Sequence, residues 1–187
     1  LANFLETCPV RTCLTRSLFS SKEVGCGISH EDAVLLRDAG VRAIDVSGSG
    51  GTNWTEIERQ RALEAGDIEK ALMAEVFREW GIPTAAAVLE VSRVEGVEVI
   101  GSGGIRTGLE VAKVLALGAS MAGIARPFLS AAVEGPEAVV RLAGRIEREL
   151  RAAMVLTGSR RVSDLRSAPR VILGPLRAWC EQRGLLR

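Results

Sequence analysis

Short apolar runs alternate along the chain with amphipathic stretches at helical spacing. Residues 41–46 (Val-Arg-Ala-Ile-Asp-Val), 97–100 (Val-Glu-Val-Ile) and 120–125 (Ser-Met-Ala-Gly-Ile-Ala) each read as a strand. Residues 22–25 close a further strand before them. A helix is predicted over residues 30–39, with Ser29 as N-cap, Glu31 and Asp32 in its first turn, and Ala33, Leu36 and Ala39, flanked by Leu35, as its apolar face. Gly40 stops it. Residues 55–80 read as helical with a break at Gly66, and Pro83 opens another helix as a first-turn proline. Thr107 caps a helix carrying Val111, Val114 and Leu115, which Gly118 ends. The longest helix starts at Pro136, with Val139, Ala143, Ile146, Leu150 and Ala153 on one face. A last short helix runs from 175 to 183. The order strand, helix, strand, helix with short connections predicts a parallel sheet with right-handed crossovers. An open doubly wound sheet and a closed barrel satisfy it equally.

Glycine changes the picture. Many of the 20 glycines cluster just after the apolar runs: Gly48, Gly50 and Gly51, then Gly101, Gly103 and Gly104. Alone, the first cluster reads equally well as a flexible loop. The second, Gly101-Ser102-Gly103-Gly104-Ile105-Arg106-Thr107-Gly108, joins a strand to a helix. There glycines let backbone N–H groups converge on an anion, with the helix N-terminus behind them and Arg106 as a charged donor. Gly123-Ile124-Ala125-Arg126-Pro127 ends the next strand. Two successive strand ends offering phosphate donors is the arrangement of barrels, and favours that closure. Lys22 sits where a strand ends. A lone lysine is ordinarily solvated, but at a barrel strand's C-terminal end it offers a cation to an electron-rich ring. His30 reads as a surface first-turn residue rather than a catalytic base, and Glu75, Arg78 and Glu79 as a solvated helix face.

Composition narrows the function classes. A net charge of +1 gives no field to recruit nucleic acid, and the absence of Tyr with 4% aromatics argues against stacking platforms. No apolar run reaches the ~18 residues of a membrane span, and residues 1–19 lack a secretory pattern. Cys8, Cys13, Cys26 and Cys180 form no CxxC pair, and with one histidine a zinc cluster is not expected. The expected compartment is a reducing cytoplasm.

Taken together, Lys-Glu-Val-Gly (22–25), Asp-Val-Ser-Gly-Ser-Gly-Gly-Thr-Asn-Trp (45–54), Trp-Gly-Ile-Pro-Thr (80–84), Gly-Ser-Gly-Gly-Ile-Arg-Thr-Gly (101–108) and Ala-Arg-Pro (125–127) resemble the FMN-dependent type 2 isopentenyl-diphosphate isomerases. The resemblance covers about residues 21–180, in order and spacing. It implies an α/β fold, the C-terminal half of a (β/α)8 TIM barrel over residues 22–187. It implies interconversion of isopentenyl and dimethylallyl diphosphate on reduced FMN, with NADPH as reductant and Mg2+ at the substrate diphosphate. Lys22 is then a contact to the flavin ring, and Thr52, Gly104, Ile105, Arg106, Ala125 and Arg126 are FMN contacts, the glycine-rich ones at the phosphate. The flavin itself serves as acid and base, so no catalytic protein residue and no metal ligand is expected in these residues. The complete protein is expected to be a homo-oligomer.

Residues 1–21 do not resemble the family's lead-in to Lys-Glu-Val-Gly. With no initiator methionine, and 187 residues against the ~250 of a barrel, the chain is expected to be an incomplete or out-of-frame reading, inactive alone. Two alternatives are carried: an FMN-dependent α-hydroxy-acid oxidase or dehydrogenase, which needs a histidine near the flavin, and a non-catalytic half-barrel that associates through open sheet edges.

Overall fold

A computed structural model describes residues 20–186, so the atypical stretch expected over residues 1–21 lies almost wholly outside them. Four parallel strands, β1 (Ser20–Lys22), β2 (Ala43–Asp45), β3 (Glu98–Gly101) and β4 (Met121–Ala122), form one sheet in the order β1-β2-β3-β4. A doubly wound sheet reverses its strand order at a switch point. Here the order is strictly sequential, as in a (β/α)8 barrel, and the described sheet is half of one.

The helices are α1 (His30–Asp38), α2 (Trp54–Glu64), α3 (Ile68–Val76), α4 (Thr84–Val91), α5 (Gly108–Ala116), α6 (Arg126–Glu134), α7 (Pro136–Leu156) and α8 (Gly174–Gln182), with a 3-10 turn at Val162–Ser167. Ser29 caps α1 as expected, accepting from the Asp32 N–H, but Ala39 is exposed and Ala33 and Leu36 alone are buried on that helix. Gly66 breaks the 55–80 stretch into α2 and α3. Pro83 is the N-cap of α4 rather than a first-turn residue, with its ψ of 142° still extended. On α7, Ile146 and Ala153 are buried as expected, but Ala143 faces solvent, and Ala138 and Leu142 take its place against the core. Neither α6 nor the 3-10 turn was anticipated. The second and fourth predicted strands differ most in length: β2 keeps three residues of 41–46, and β4 keeps two of 120–125 because its second half swings away into the loop that starts α6.

The core lies between sheet and helices, around Val41, Ile44, Val46, Val88, Val91, Val99 and Val114. On β2 the successive residues Ala43 and Ile44 are both buried, so both faces of that strand are covered, as parallel strands require. The C-terminal helix is fastened to it by one buried carboxylate. Glu90 is 1% exposed and accepts from Arg183 Nε at 3.0 Å and Nη2 at 2.9 Å, from Trp179 Nε1 at 2.8 Å and from the His30 N–H at 2.9 Å. Arg183 also reaches Glu31 at 2.6 Å.

Candidate functional site

The C-terminal ends of the four strands meet the site because the register brings them level. Lys22 pairs with Asp45 across β1 and β2, and Asp45 with Ile100 across β2 and β3. Beyond those ends, the 45–54 and 101–108 loops interlock: Val46 N–H donates to Ile100 O at 3.1 Å, Gly48 N–H to Ser102 O at 2.9 Å, and Thr84 Oγ1 to Gly103 O at 2.7 Å. The approach is so close that a Cβ on Gly104 would stand 2.1 Å from Gly50 O, and one on Gly103 2.2 Å from Gly48 O. Both glycines also have positive φ, +83° and +107°, where other residues are strained.

A cavity of about 420 Å3 opens at this face, and Lys22, Thr52, Gly104, Ile105, Arg106, Ala125 and Arg126 all line it. Its two ends differ in chemistry. At one end lie Lys22 and Asp45, joined at 2.6 Å. At the other, the N–H groups of Gly104, Ile105, Ala125 and Arg126 have no acceptor among the described residues, and the Arg106 and Arg126 side chains flank them. Unpaired N–H groups and two guanidinium-bearing residues on one cavity are the donor types an anion takes.

The N-terminus of α5 contributes less than its sequence position implies. Thr107 and Glu110 form a capping box there: Thr107 Oγ1 accepts from the Glu110 N–H at 3.2 Å, and Glu110 Oε2 accepts from the Thr107 and Arg106 N–H groups at 3.0 and 2.7 Å. The Gly108 N–H is taken by Glu149 at 2.7 Å. The Arg106 N–H, foremost, holds Glu110 below the usual carboxylate range, so it stays ionised. By contrast α6 has no side-chain cap at Ala125, and its first turn is the helix end open toward the cavity.

Several lining residues carried no assigned role in the sequence reading. Asp45, at the end of β2, accepts from Lys22, from the Ser47 N–H at 3.2 Å and from Ser102 Oγ. Ser102 is 6% exposed. Both lay within quoted motifs, and an acidic residue closing a strand beside a glycine cluster was the available signal. His30 begins α1 with its N–H and ring on Glu90, and does not line the cavity. The Cys26 thiol is pushed up by burial and by Glu23, so it is no ready nucleophile.

Donors for an anion at one end and a lysine at the other fit the phosphate and ring of a flavin mononucleotide. The chain belongs to the FMN-dependent dehydrogenase family, whose model matches residues 22–171. Within that breadth, its sequence is similar to the isopentenyl-diphosphate delta-isomerase of Methanothrix thermoacetophila, 51% identical over 164 residues, 88% of this chain and 46% of that protein. The isomerase of Methanopyrus kandleri is 45% identical over 188 residues, 99% of this chain and 48% of that one. The chain thus spans about half the length of the curated relatives it matches. Among solved structures, Pediococcus acidilactici lactate oxidase superposes with a TM-score of 0.60 at 22% identity, covering 80% of this chain and 36% of that one. A mandelate oxidase variant with a monooxide FMN adduct gives 0.58 at 25% identity, covering 91% and 46%. These likenesses bear on the fold.

Proposed function

We propose that the complete protein bearing this chain interconverts isopentenyl and dimethylallyl diphosphate, and that the present residues hold its FMN. Bound and reduced, FMN supplies the acid and base for shifting a carbon-bound proton, a task poorly matched to ordinary side chains. Gly104, Ile105, Ala125 and Arg126 hold the phosphate through their N–H groups, and Arg106 and Arg126 add charge. Thr52 lines the wall between, and Lys22 offers its ammonium to the ring.

The observation that carries this reading is that all seven residues line one cavity, with the Lys22–Asp45 pair on one side and unpaired N–H groups beside two arginines on the other. The α-hydroxy-acid oxidase alternative needs an imidazole beside the flavin, and none of the cavity's described lining residues is a histidine. We further propose NADPH as reductant, Mg2+ at the substrate diphosphate, a cytoplasmic location and a homo-oligomeric state. Among the described residues no group of three or more His, Cys, Asp or Glu gathers to hold a metal. No described helix is long and apolar enough to cross a membrane. The test uses the complete protein, with FMN reduced by NADPH or dithionite under anaerobic conditions, assayed for dimethylallyl diphosphate. Full activity with oxidised FMN and no reductant, or turnover of 2-hydroxy acids instead, overturns the proposal.

A further inference from the structure

We propose that Asp45 is a positioning residue for the flavin site: it holds the Lys22 ammonium in place and sets how much of that charge a bound flavin feels. The inference rests on the flavin reading above and deepens it.

Lys22 and Asp45 are register partners on adjacent strands, so their side chains leave the sheet side by side. The Lys22 side chain is 61% exposed and that of Asp45 15%. An unpartnered lysine at that exposure samples many rotamers, and holding it costs side-chain entropy. Asp45 removes that freedom because it is itself fixed. Its Oδ2 takes Lys22 Nζ at 2.6 Å, while Oδ1 takes the Ser47 N–H at 3.2 Å and the Ser102 hydroxyl. Ser102 in turn is anchored by the Gly48 N–H on its carbonyl, at 2.9 Å. The carboxylate is therefore tied to three strands and turns one oxygen to the lysine.

The neighbouring carboxylate is occupied elsewhere. Glu23 Oε2 takes the N–H groups of Gly25, Cys26 and Gly27. Among the described residues, Asp45 is the carboxylate in contact with Lys22. A cation favours an electron-rich, reduced ring over an oxidised one. A carboxylate in contact with that cation cancels part of its field. Asp45 thus does two things at once, fixing where the charge sits and weakening it.

The test is the two-electron reduction potential of FMN bound to the complete protein, in wild type, Asp45→Asn, Lys22→Leu and the double variant. Asp45→Asn is expected to favour reduced over oxidised flavin about tenfold more than wild type, an upward shift of about 30 mV. Lys22→Leu shifts the potential down, and in that background Asp45→Asn raises it by less than in wild type, because only the carboxylate's own field is then lost. Should Asp45→Asn fail to retain flavin, Ser102→Ala reads the same coupling. Without the hydroxyl on Oδ1 the carboxylate bears harder on Lys22, so the potential falls, and only while Lys22 is present. An Asp45→Asn or Ser102→Ala shift of equal size with and without Lys22, or no shift in either, overturns the inference. Wild-type protein from the same preparation is assayed for isomerisation. Its failure to form dimethylallyl diphosphate sinks the proposed reaction, while the potentials still decide the role of Asp45.

Discussion

Alanine at Gly104 and at Gly66 separates backbone strain from loop contact. Both glycines have positive φ, +83° and +73°, so both substitutions carry the left-handed penalty of about 1–2 kcal/mol. At Gly66 a new Cβ meets nothing within 4 Å, and the penalty is the whole effect. At Gly104 the same atom stands 2.1 Å from Gly50 O and 2.5 Å from Gly50 C, both backbone. Neither can swing aside like a side-chain tip, so the two glycine loops must part, adding about 1–3 kcal/mol of overpacking. The added methyl group points into Gly50 rather than into the space a phosphate needs, so flavin is lost through displacement of the Gly104 and Ile105 N–H groups. Equilibrium urea unfolding of the complete protein and its flavin content give the two readouts. Gly104→Ala is expected to be less stable than Gly66→Ala by about 1–3 kcal/mol, with FMN affinity reduced more than tenfold. Equal destabilisation of the two variants, or wild-type flavin in Gly104→Ala, refutes the reasoning.

Three further outcomes are expected. Glu90→Gln leaves Arg183 without its buried carboxylate and costs about 2–3 kcal/mol in urea unfolding, below the ~3–5 of a wholly buried pair because Arg183 keeps some solvent. Burial pushes Glu90 up, but Arg183, the His30 N–H and Trp179 outweigh it and hold its pKa below the ordinary 4.5. A depressed pKa gives stability that is complete above the unfolded value and lost as pH falls through the folded one, so an acid unfolding titration of Glu90→Gln shows a shallower loss below pH 4.5. Glu110→Ala opens the capping box for about 0.5–2 kcal/mol, yet flavin titration gives affinity within a few-fold of wild type, because the proposed phosphate donors are Gly104, Ile105 and the start of α6. Arg59→Gln returns Glu56 from about 2 toward its ordinary range, read by carboxyl NMR titration, since the Arg59 hydrogen bond is the first cause of that low value.

The alternation of strand and helix was legible because each apolar run ends in glycine or turn residues, but the sequential strand order was not fixed by it, since a doubly wound sheet has the same alternation. What pattern alone could not give was strand length. Parallel strands end where the partner's register ends, and β4 has only Ile100 and Gly101 to pair with. Nor could period alone place the burial of α7. Ala143 falls on its expected stripe, but α5 and α6 approach the helix from a direction that buries Ala138 and leaves Ala143 in solvent. Helix α6 was hidden because Arg126-Pro127 read as the end of a strand motif, when proline in a first turn is equally a helix start. The Glu90–Arg183 clasp joins residues 93 apart, and no local pattern reports such a pairing.

The seven candidate residues fall on one cavity, and the two helix ends beside them differ in a way the sequence itself carries. A helix N-terminus binds an anion only if its N–H groups are not already taken. Thr107-Gly108-Leu109-Glu110 has the S/T-x-x-E spacing of a capping box, and a carboxylate so placed is an internal substitute for the anion. The structure shows it accepting both the Arg106 and Thr107 N–H groups. Ala125-Arg126-Pro127-Phe128 offers no such side chain at its N-cap, and none bonds there. The glycines of the 101–108 loop thus do something other than expose a helix end: they bring that loop against Gly48 and Gly50, closing the wall on which Gly104 and Ile105 present their N–H groups. In the proposed site the capped helix positions the loop of phosphate donors, and the uncapped one completes it.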